Sequence, residues 1–381
     1  MSTLKCLKIA MYLPAMESGG TEKLVLLLTQ SLLDQGHEVT ILLDRAEGSL
    51  LPQIPTGAEV VTLDVSRTIF ALPKLASYLR KTPPDILVSH LGHNNIIALW
   101  AARIVRTHTA IVICQHNTLS SETKTFGNWQ HRLLPSLYRK YAKQARSIVA
   151  VSEGVADDMS TCAGIRRSRI SVIHNPVVSP DFGRLAAQDI SHPWFLEPAG
   201  KVFVAVGRLV PQKDFSTLIS AFSKMHPGLN AKLLILGEGP LLQELVELAR
   251  SLGISDRVDF VGFQPNPLPY LRQACALVMT SRFEGFGNVL VEALACGTPV
   301  ISTECPHGPA EILEHGRFGT LVPVGDACAV AEAMARVITD RPDPRVLKIR
   351  ASAFSTEGAT AKYLALFQSA CALVSENEMA N

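Results

Sequence analysis

Two α/β domains in tandem, each built on a doubly wound parallel sheet, are what the hydrophobic pattern of this chain predicts. Three observations carry that reading. The chain has 381 residues, enough at about 100–200 residues per domain for two separate cores. Short runs rich in Val, Ile and Leu alternate with longer stretches of helical spacing, and this rhythm occurs twice. Between the two occurrences lies 174–200, which opens with His174-Asn175-Pro176, contains Pro180, Pro193 and Pro198, and has little periodicity; it reads as a linker. A composition of 47% hydrophobic and 18% charged residues without a low-complexity tract fits a folded globular protein.

In the first half the strand candidates are KIAMYL from 8, EVTILL from 38, EVVTL from 59, DILVSH from 85, AIVICQ from 110 and SIVAVS from 147. Continuous apolar runs bounded by turn residues mark parallel strands buried on both faces. The first helix is expected to start after Gly19-Gly20-Thr21 and to stop at Gly36, with a cap at each end. In the second half the candidates are KVFVAVG from 201, KLLILG from 232, VDFVG from 258, ALVMTS from 276 and PVIST from 299. After ALVMTS comes a turn at 284–288, then a helix over 289–296 closed by Gly297, with Pro299 beyond it. The last amphipathic stretch, 360–374, has no strand after it and is expected to fold back onto the first domain. The predicted domains are residues 1–185 joined by 358–381, and residues 186–357.

Several function classes lose support. The longest uncharged stretch, 86–102, contains Ser89, His90, Gly92, His93, Asn94 and Asn95 and makes a poor membrane span. The apolar run near the N-terminus is too short for the core of a signal peptide and reads as a buried first strand, so a cytoplasmic location is expected. The eight cysteines are scattered without a Cys-x-x-Cys pair, which fits reduced buried thiols better than a disulfide or zinc framework. No nucleic-acid partner is expected.

The net charge of +2 hides an asymmetry: residues 1–186 carry 20 Lys+Arg against 14 Asp+Glu, and the rest of the chain is acidic. In 117–150, Lys124, Arg132, Arg139, Lys140, Lys143 and Arg146 face only Glu122. They are interleaved with Phe126, Trp129, Leu133, Leu134, Leu137 and Tyr138. The segment 124–146 therefore reads either as an element that rests on an anionic membrane surface or as a solvated helix face.

Ligands of doubly wound sheets bind where strands end and helices begin, and for two facing domains that places the main site in the cleft between them. Three turns qualify. In VAVGRLVPQKDF a strand ends at Gly207 and is followed by Arg208 and Lys213. A guanidinium and an ammonium just before a helix suit a diphosphate, since both make charge-assisted hydrogen bonds to its oxygens. In MESGGTEKL, Gly19-Gly20 allows close backbone approach and presents helix N–H groups to an anion. It is neither a Walker A motif nor Gly-x-Gly-x-x-Gly. In EGFGNVLVE, the amides of Gly287, Asn288 and Val289 stand at a helix start, where they suit a phosphate, while Glu284 and Glu292 suit sugar hydroxyls on either side of it. Two exposed surface glutamates are the plain alternative.

The string EGFGNVLVEALACGTPVIST, with Glu284 and Glu292 separated by seven residues, resembles the Glu-x7-Glu signature of the retaining glycosyltransferases of family 4, group 1. The resemblance extends to GHEV at 36–39, VSEGVADDM at 151–159, HNPV at 174–177, LGEGP at 236–240, VDFVGF at 258–263 and GPAEIL at 308–313. It implies the GT-B fold, two Rossmann-like domains facing across a cleft, with the N-terminal one binding the acceptor. It implies a hexosyltransferase that takes a hexose-type sugar from a nucleoside diphosphate sugar, UDP-linked, to a saccharide or lipid-linked acceptor in cell-surface glycan synthesis. It would act in the cytoplasm or on the inner face of the cytoplasmic membrane.

Carried over residue by residue, the resemblance gives Arg208 and Lys213 to the diphosphate, Glu292 to the ribose and Glu284 to the donor sugar. The amides from Phe286 to Val289 bind sugar or phosphate, Gly19 and Gly20 line the donor, and Gly262 and Phe263 border the base. His116 matches a histidine near the donor sugar's outer hydroxyl, and His116, Arg208, Lys213 and Glu284 form the catalytic set. No metal or other cofactor is implied. Where the family often has proline or leucine this chain has Gly287-Asn288, so the donor cannot be read from that loop. A non-catalytic nucleotide-sugar-binding protein and a GT-B-like sugar-nucleotide epimerase are the alternatives.

Overall fold

The computed structural model describes residues 6–17, 19–121, 129–196 and 201–379. The chain forms two compact units: one runs to Val177 and takes in the segment from Thr356, the other is Val178–Ser355.

The first unit is built on seven parallel strands: β1 Lys8–Leu13, β2 Glu38–Leu43, β3 Glu59–Thr62, β4 Ile86–His90, β5 Ala110–Gln115, β6 Ser147–Ala150 and β7 Ile170–Val172. Their spatial order is β3-β2-β1-β4-β5-β6-β7. Every residue of β4 and β5 is buried, as their unbroken apolar sequence predicts. The first helix is Gly20–Asp34; the residue before it is Gly19, which supplies no side-chain cap, so the expected N-terminal cap is absent. Leu24, Val25, Leu28 and Leu32 pack its inner face on the sheet.

The helix Thr356–Met379 joins the same core through Tyr363, Leu364, Phe367 and Ala370. The Tyr363 hydroxyl lies 3.9 Å from Cys114 Sγ of β5. Its inward residues recur at helical spacing, which is how the end of the chain becomes part of the first unit.

The second unit has six parallel strands: β8 Lys201–Val206, β9 Ala231–Leu236, β10 Val258–Gly262, β11 Ala276–Met279, β12 Val300–Thr303 and β13 Thr320–Val322. The order β10-β9-β8-β11-β12-β13 again reverses direction beside its first strand, the doubly wound pattern. β7 and β13 were not anticipated; each has three residues and lies at a sheet edge, too short for a pattern.

Residues 178–185 belong to the second unit and not, as predicted, to the first. Val178 forms a bridge with Ser355, and Asn266 Nδ2 donates to Leu185 O at 2.9 Å, so hydrogen bonds tie this stretch to its own unit.

Candidate active site

In the second unit the strand order reverses between β8 and β11, and the turns leaving these two strands hold most of the residues singled out above. After β8 the chain passes Gly207 and Arg208 into a short 3-10 turn, Pro211–Lys213. Asp214 follows in the left-handed region at φ +48°. Such a conformation is costly for a side chain other than glycine or asparagine and persists where the surroundings fix it. Here Ser216 Oγ donates to Asp214 Oδ1 at 2.8 Å, and Arg282 Nε donates to Oδ2 at 3.0 Å. Burial opposes the Asp214 charge, but these hydrogen bonds and one from Thr217 outweigh it and hold the carboxyl below its ordinary range.

The β11 turn is stitched to the β8 turn. Thr280 Oγ1 contacts Lys213 O and Asp214 O, Arg282 N donates to Gln212 O at 2.8 Å, and Gln212 Nε2 donates to Phe283 O at 3.0 Å. This places Lys213 Nζ 2.5 Å from Glu284 Oε1, and Ser281 Oγ donates to the same oxygen at 2.6 Å. The Lys213 side chain is 21% exposed and that of Glu284 8%. Both charges are largely out of water, so the pairing matters: an isolated ion there would be costly. Both bonds fall on Oε1, and Oε2 accepts none among the described residues. Arg208 is exposed.

Glu292 sits half-buried on the helix Asn288–Cys296, and Glu284 is paired with Lys213. Burial, then the Glu292 charge, pushes the Cys296 thiol up to about 12, and burial with Glu284 nearby does the same to Cys305. Neither thiol is a nucleophile at neutral pH.

Gly287, at φ +102°, precedes that helix and brings no side chain to its start. The helix begins at Asn288, one residue earlier than the pattern suggests. A Cβ on Gly308 would fall 2.0 Å from Phe286 O, so the GPAEIL loop presses directly on the backbone of the turn. The Phe286 ring is buried, edge-on to Phe354 at 5.5 Å. On the other side of β8, Gly237 N donates to Gly262 O at 2.8 Å, and Phe263 N donates to Glu238 Oε1 at 3.3 Å. The ends of β8, β9 and β10 are thus joined by the LGEGP loop.

In the first unit the corresponding positions are the ends of β1, β4 and β5. Gly19 and Gly20 open the first helix, and a Cβ on Gly19 would lie 2.1 Å from Glu22 Oε2. The buried Glu22 carboxyl group therefore lies close to the turn in which the sequence suggested an anion site.

His116 follows β5, and its Nε2 lies 2.9 Å from Nδ1 of His90, the last residue of β4. Burial pushes the His116 imidazole down to about 3, and burial together with His116 takes His90 well below its ordinary value, so both rings are neutral. The segment around His116 is pinned: Tyr138 Oη donates to Gln115 Oε1 at 2.7 Å, Gln115 Nε2 to Asn117 O at 2.8 Å, and Asn95 Nδ2 to Cys114 O at 2.9 Å. Sequence reasoning missed His90, Ser281 and Asp214. His90 carries a signal, since DILVSH and AIVICQH each place a histidine at the end of neighbouring strands. Ser281 and Asp214 carry none of their own.

The basic segment is only partly in view: Glu122, Lys124 and Phe126 lie outside the described residues. Within the helix Trp129–Tyr141, Leu134 and Tyr138 are buried, whereas Arg132, Leu133, Arg139 and Lys140 are exposed.

Two doubly wound units of this kind make up the GT-B fold, and solved structures share it. HepE of Anabaena, in complex with UDP and glucose, matches with a TM-score of 0.78 at 22% identity over 95% of this chain and 100% of that one. Residues 188–354 match the family described as glycosyl transferases group 1, and residues 18–179 match glycosyltransferase family 4. The lipopolysaccharide core biosynthesis glycosyltransferase LpsE of Rhizobium meliloti is 30% identical over 364 residues, 93% of this chain and 97% of that one. A Campylobacter jejuni protein, N-acetylgalactosamine-N,N'-diacetylbacillosaminyl-diphospho-undecaprenol 4-alpha-N-acetylgalactosaminyltransferase, is 29% identical over 346 residues, 87% of this chain and 90% of that one. The chain belongs to the group 1, family 4 glycosyltransferases and is a glycosyltransferase.

Proposed function

We propose that this glycosyltransferase moves a sugar from a UDP-sugar to a saccharide or lipid-linked acceptor of the cell surface, with retention at the anomeric carbon. The observation that carries the reading is the cluster of Lys213, Glu284 and Ser281 beside Arg208 and the helix start at Gly287. Cations and helix amides suit a diphosphate, and a carboxylate with one oxygen unused suits a hydroxyl. The Campylobacter jejuni relative, whose name includes diphospho-undecaprenol, and HepE, solved with UDP and glucose, support the same reading.

Arg208 and Lys213 grip the phosphate oxygens, with Lys213 exchanging Glu284 for the phosphate. Glu284 accepts from a hydroxyl of the donor sugar through Oε2, Glu292 from the ribose, and Gly262 with Phe263 borders the base. Gly19 and Gly20 lie beside the donor without holding its charge. Neutral His116 bonds an outer sugar hydroxyl. As the bond from the anomeric carbon to the diphosphate breaks, the acceptor oxygen bonds that carbon from the same face, and its proton passes to the departing phosphate. Charge grows on the leaving oxygens, so the cations contribute most at the transition state. The reading uses no metal ion, and EDTA is expected to leave the rate within about twofold.

The experiment is a screen of nucleotide sugars for thermal stabilisation, with mass spectrometry of products formed on saccharide and lipid-linked acceptors. Stabilisation by a UDP-sugar with glycosylated product supports the reading. Conversion of the donor without acceptor indicates an epimerase, and binding without product indicates a binding protein.

Attachment to an anionic membrane surface is a second proposal, favoured by Leu133 at 45% and Ile104 at 59% exposure beside Arg132 and Arg103. Among the described residues no helix is long and apolar enough to cross a membrane. Co-sedimentation with phosphatidylglycerol vesicles but not phosphatidylcholine vesicles supports attachment; equal binding to both removes the electrostatic reading.

A further inference from the structure

The His90–His116 pair holds more than an isolated histidine would. The two rings approach at 2.9 Å between His90 Nδ1 and His116 Nε2, with centroids 5.2 Å apart and planes tilted by 34°. The other two ring nitrogens, His116 Nδ1 and His90 Nε2, are buried and have no hydrogen-bond partner among the described residues. Two neutral imidazoles can share only one proton across that gap. Each arrangement of that proton fixes these other two nitrogens with opposite roles. If His90 donates, His116 Nδ1 carries a proton and is a donor. If His116 donates, its Nδ1 is an acceptor. An unpaired buried nitrogen costs stability unless a ligand or water satisfies it.

The surroundings hold the pair in register. Both residues sit at the ends of hydrogen-bonded neighbouring strands, where His90 is directly opposite Cys114 in the β4–β5 ladder. Leu91, next to His90, has φ +73° although it is not glycine, a strained conformation at the start of the helix Gly92–Val105. That helix returns Asn95 to Cys114 O and Tyr138 Oη, at 2.9 and 2.8 Å, so it clamps the end of β5 from which His116 projects.

We infer that His90 is a positioning residue: it fixes the ring orientation and tautomer of His116, and so sets whether His116 Nδ1 donates to or accepts from a hydroxyl of the sugar. The inference rests on the proposed role of His116 toward the donor sugar. Because a fixed donor or acceptor reads the direction of a hydroxyl, it predicts that His90 governs discrimination between donors that differ at one hydroxyl.

Three variants and one spectrum test it. His90→Phe fills the same buried space without a hydrogen-bond partner, His90→Asn can place a polar atom where Nδ1 stood, and His116→Ala removes the contact itself. Transfer is measured with UDP-glucose and its epimer UDP-galactose, and UDP binding is titrated separately. The expected result is that His90→Phe lowers kcat with the preferred donor about 10- to 100-fold and narrows the ratio of kcat/KM between the epimers. UDP affinity stays unchanged, and His90→Asn restores most of both. A His116→Ala enzyme with full activity overturns the reading on which the inference rests, and the inference with it. An impaired His116→Ala enzyme beside a His90→Phe enzyme with wild-type rate and wild-type donor ratio overturns the inference alone. Nitrogen-15 NMR of the histidine rings in the wild-type chain decides it independently of activity. One dominant tautomer of His116 that is lost in His90→Phe supports the pair, and rapidly averaging tautomers in the wild type overturn it.

Discussion

The ends of β8 and β11 flank the point where the strand order of the second sheet reverses, and the ends of β4 and β5 lie beside the same point of the first sheet, yet their chemistry is opposite. The second unit gathers charge, with Arg208 exposed, Lys213 paired with Glu284, and Asp214 held ionised by Ser216 and Arg282. The first unit gathers neutral polar groups, His90 with His116 and Asn95 with Tyr138, in full burial. A charged cluster left partly open to water suits an anion that arrives with its own charge. A buried neutral pair suits a hydroxyl, which needs direction and no countercharge. On the proposed reading, the charged cluster serves the phosphates and the neutral pair serves a sugar hydroxyl.

The difference is tested first where charge is greatest. Replacing both Arg208 and Lys213 by Ala is expected to lower kcat/KM by about a thousandfold or more, as removal of transition-state charge stabilisers does; steady-state kinetics at saturating acceptor measures it. Glu284→Ala comes next, with kcat reduced about 100- to 1,000-fold. Its loss also releases Lys213, so the same variant keeps the cation while losing the carboxylate.

A smaller effect is expected from backbone fit. Gly308→Ala sets a Cβ 2.0 Å from Phe286 O at a φ of +95°. It should cost roughly 2–4 kcal/mol of stability, read by denaturant unfolding, and weaken donor binding because the turn at Gly287 must shift.

The neutral pair gives the smallest effect, and its sign is fixed. Burial lowers the His116 pKa in the folded state to about 3, so below the unfolded value near 6.5 the unfolded chain binds more protons. Stability is full above that value and is lost as pH falls toward 3. At pH 5 the loss attributable to His116 is about 2 kcal/mol, and His116→Phe should flatten this part of the profile measured by chemical unfolding from pH 7 to 5.

Most of the architecture was legible because it rests on local pattern. Runs such as AIVICQ and KLLILG read as buried strands, and eleven of the thirteen strands among the described residues coincide with runs picked out by their apolar pattern. β7 and β13 do not, since three residues at a sheet edge leave no period to read. Arg208, Lys213 and Glu284 stood out through the resemblance of their two turns to a known family, and the structure brings Lys213 and Glu284 together. What the pattern could not show is pairing across the fold. Lys213 meets Glu284 across 71 positions of sequence and His90 meets His116 across 26. The approach of the Glu22 side chain to the Gly19 turn is likewise a matter of side-chain packing.

The division between an anion grip and a sugar contact is tested most directly by titrating UDP, which carries the phosphates and no sugar to transfer, into Glu284→Ala and into the Arg208→Ala, Lys213→Ala double variant. The prediction is that Glu284→Ala binds UDP as tightly as the wild type or more tightly, because Lys213 is freed for phosphate, while the double variant loses at least about 100-fold in affinity. Equal loss of UDP affinity in both, or wild-type affinity in the double variant, would contradict it.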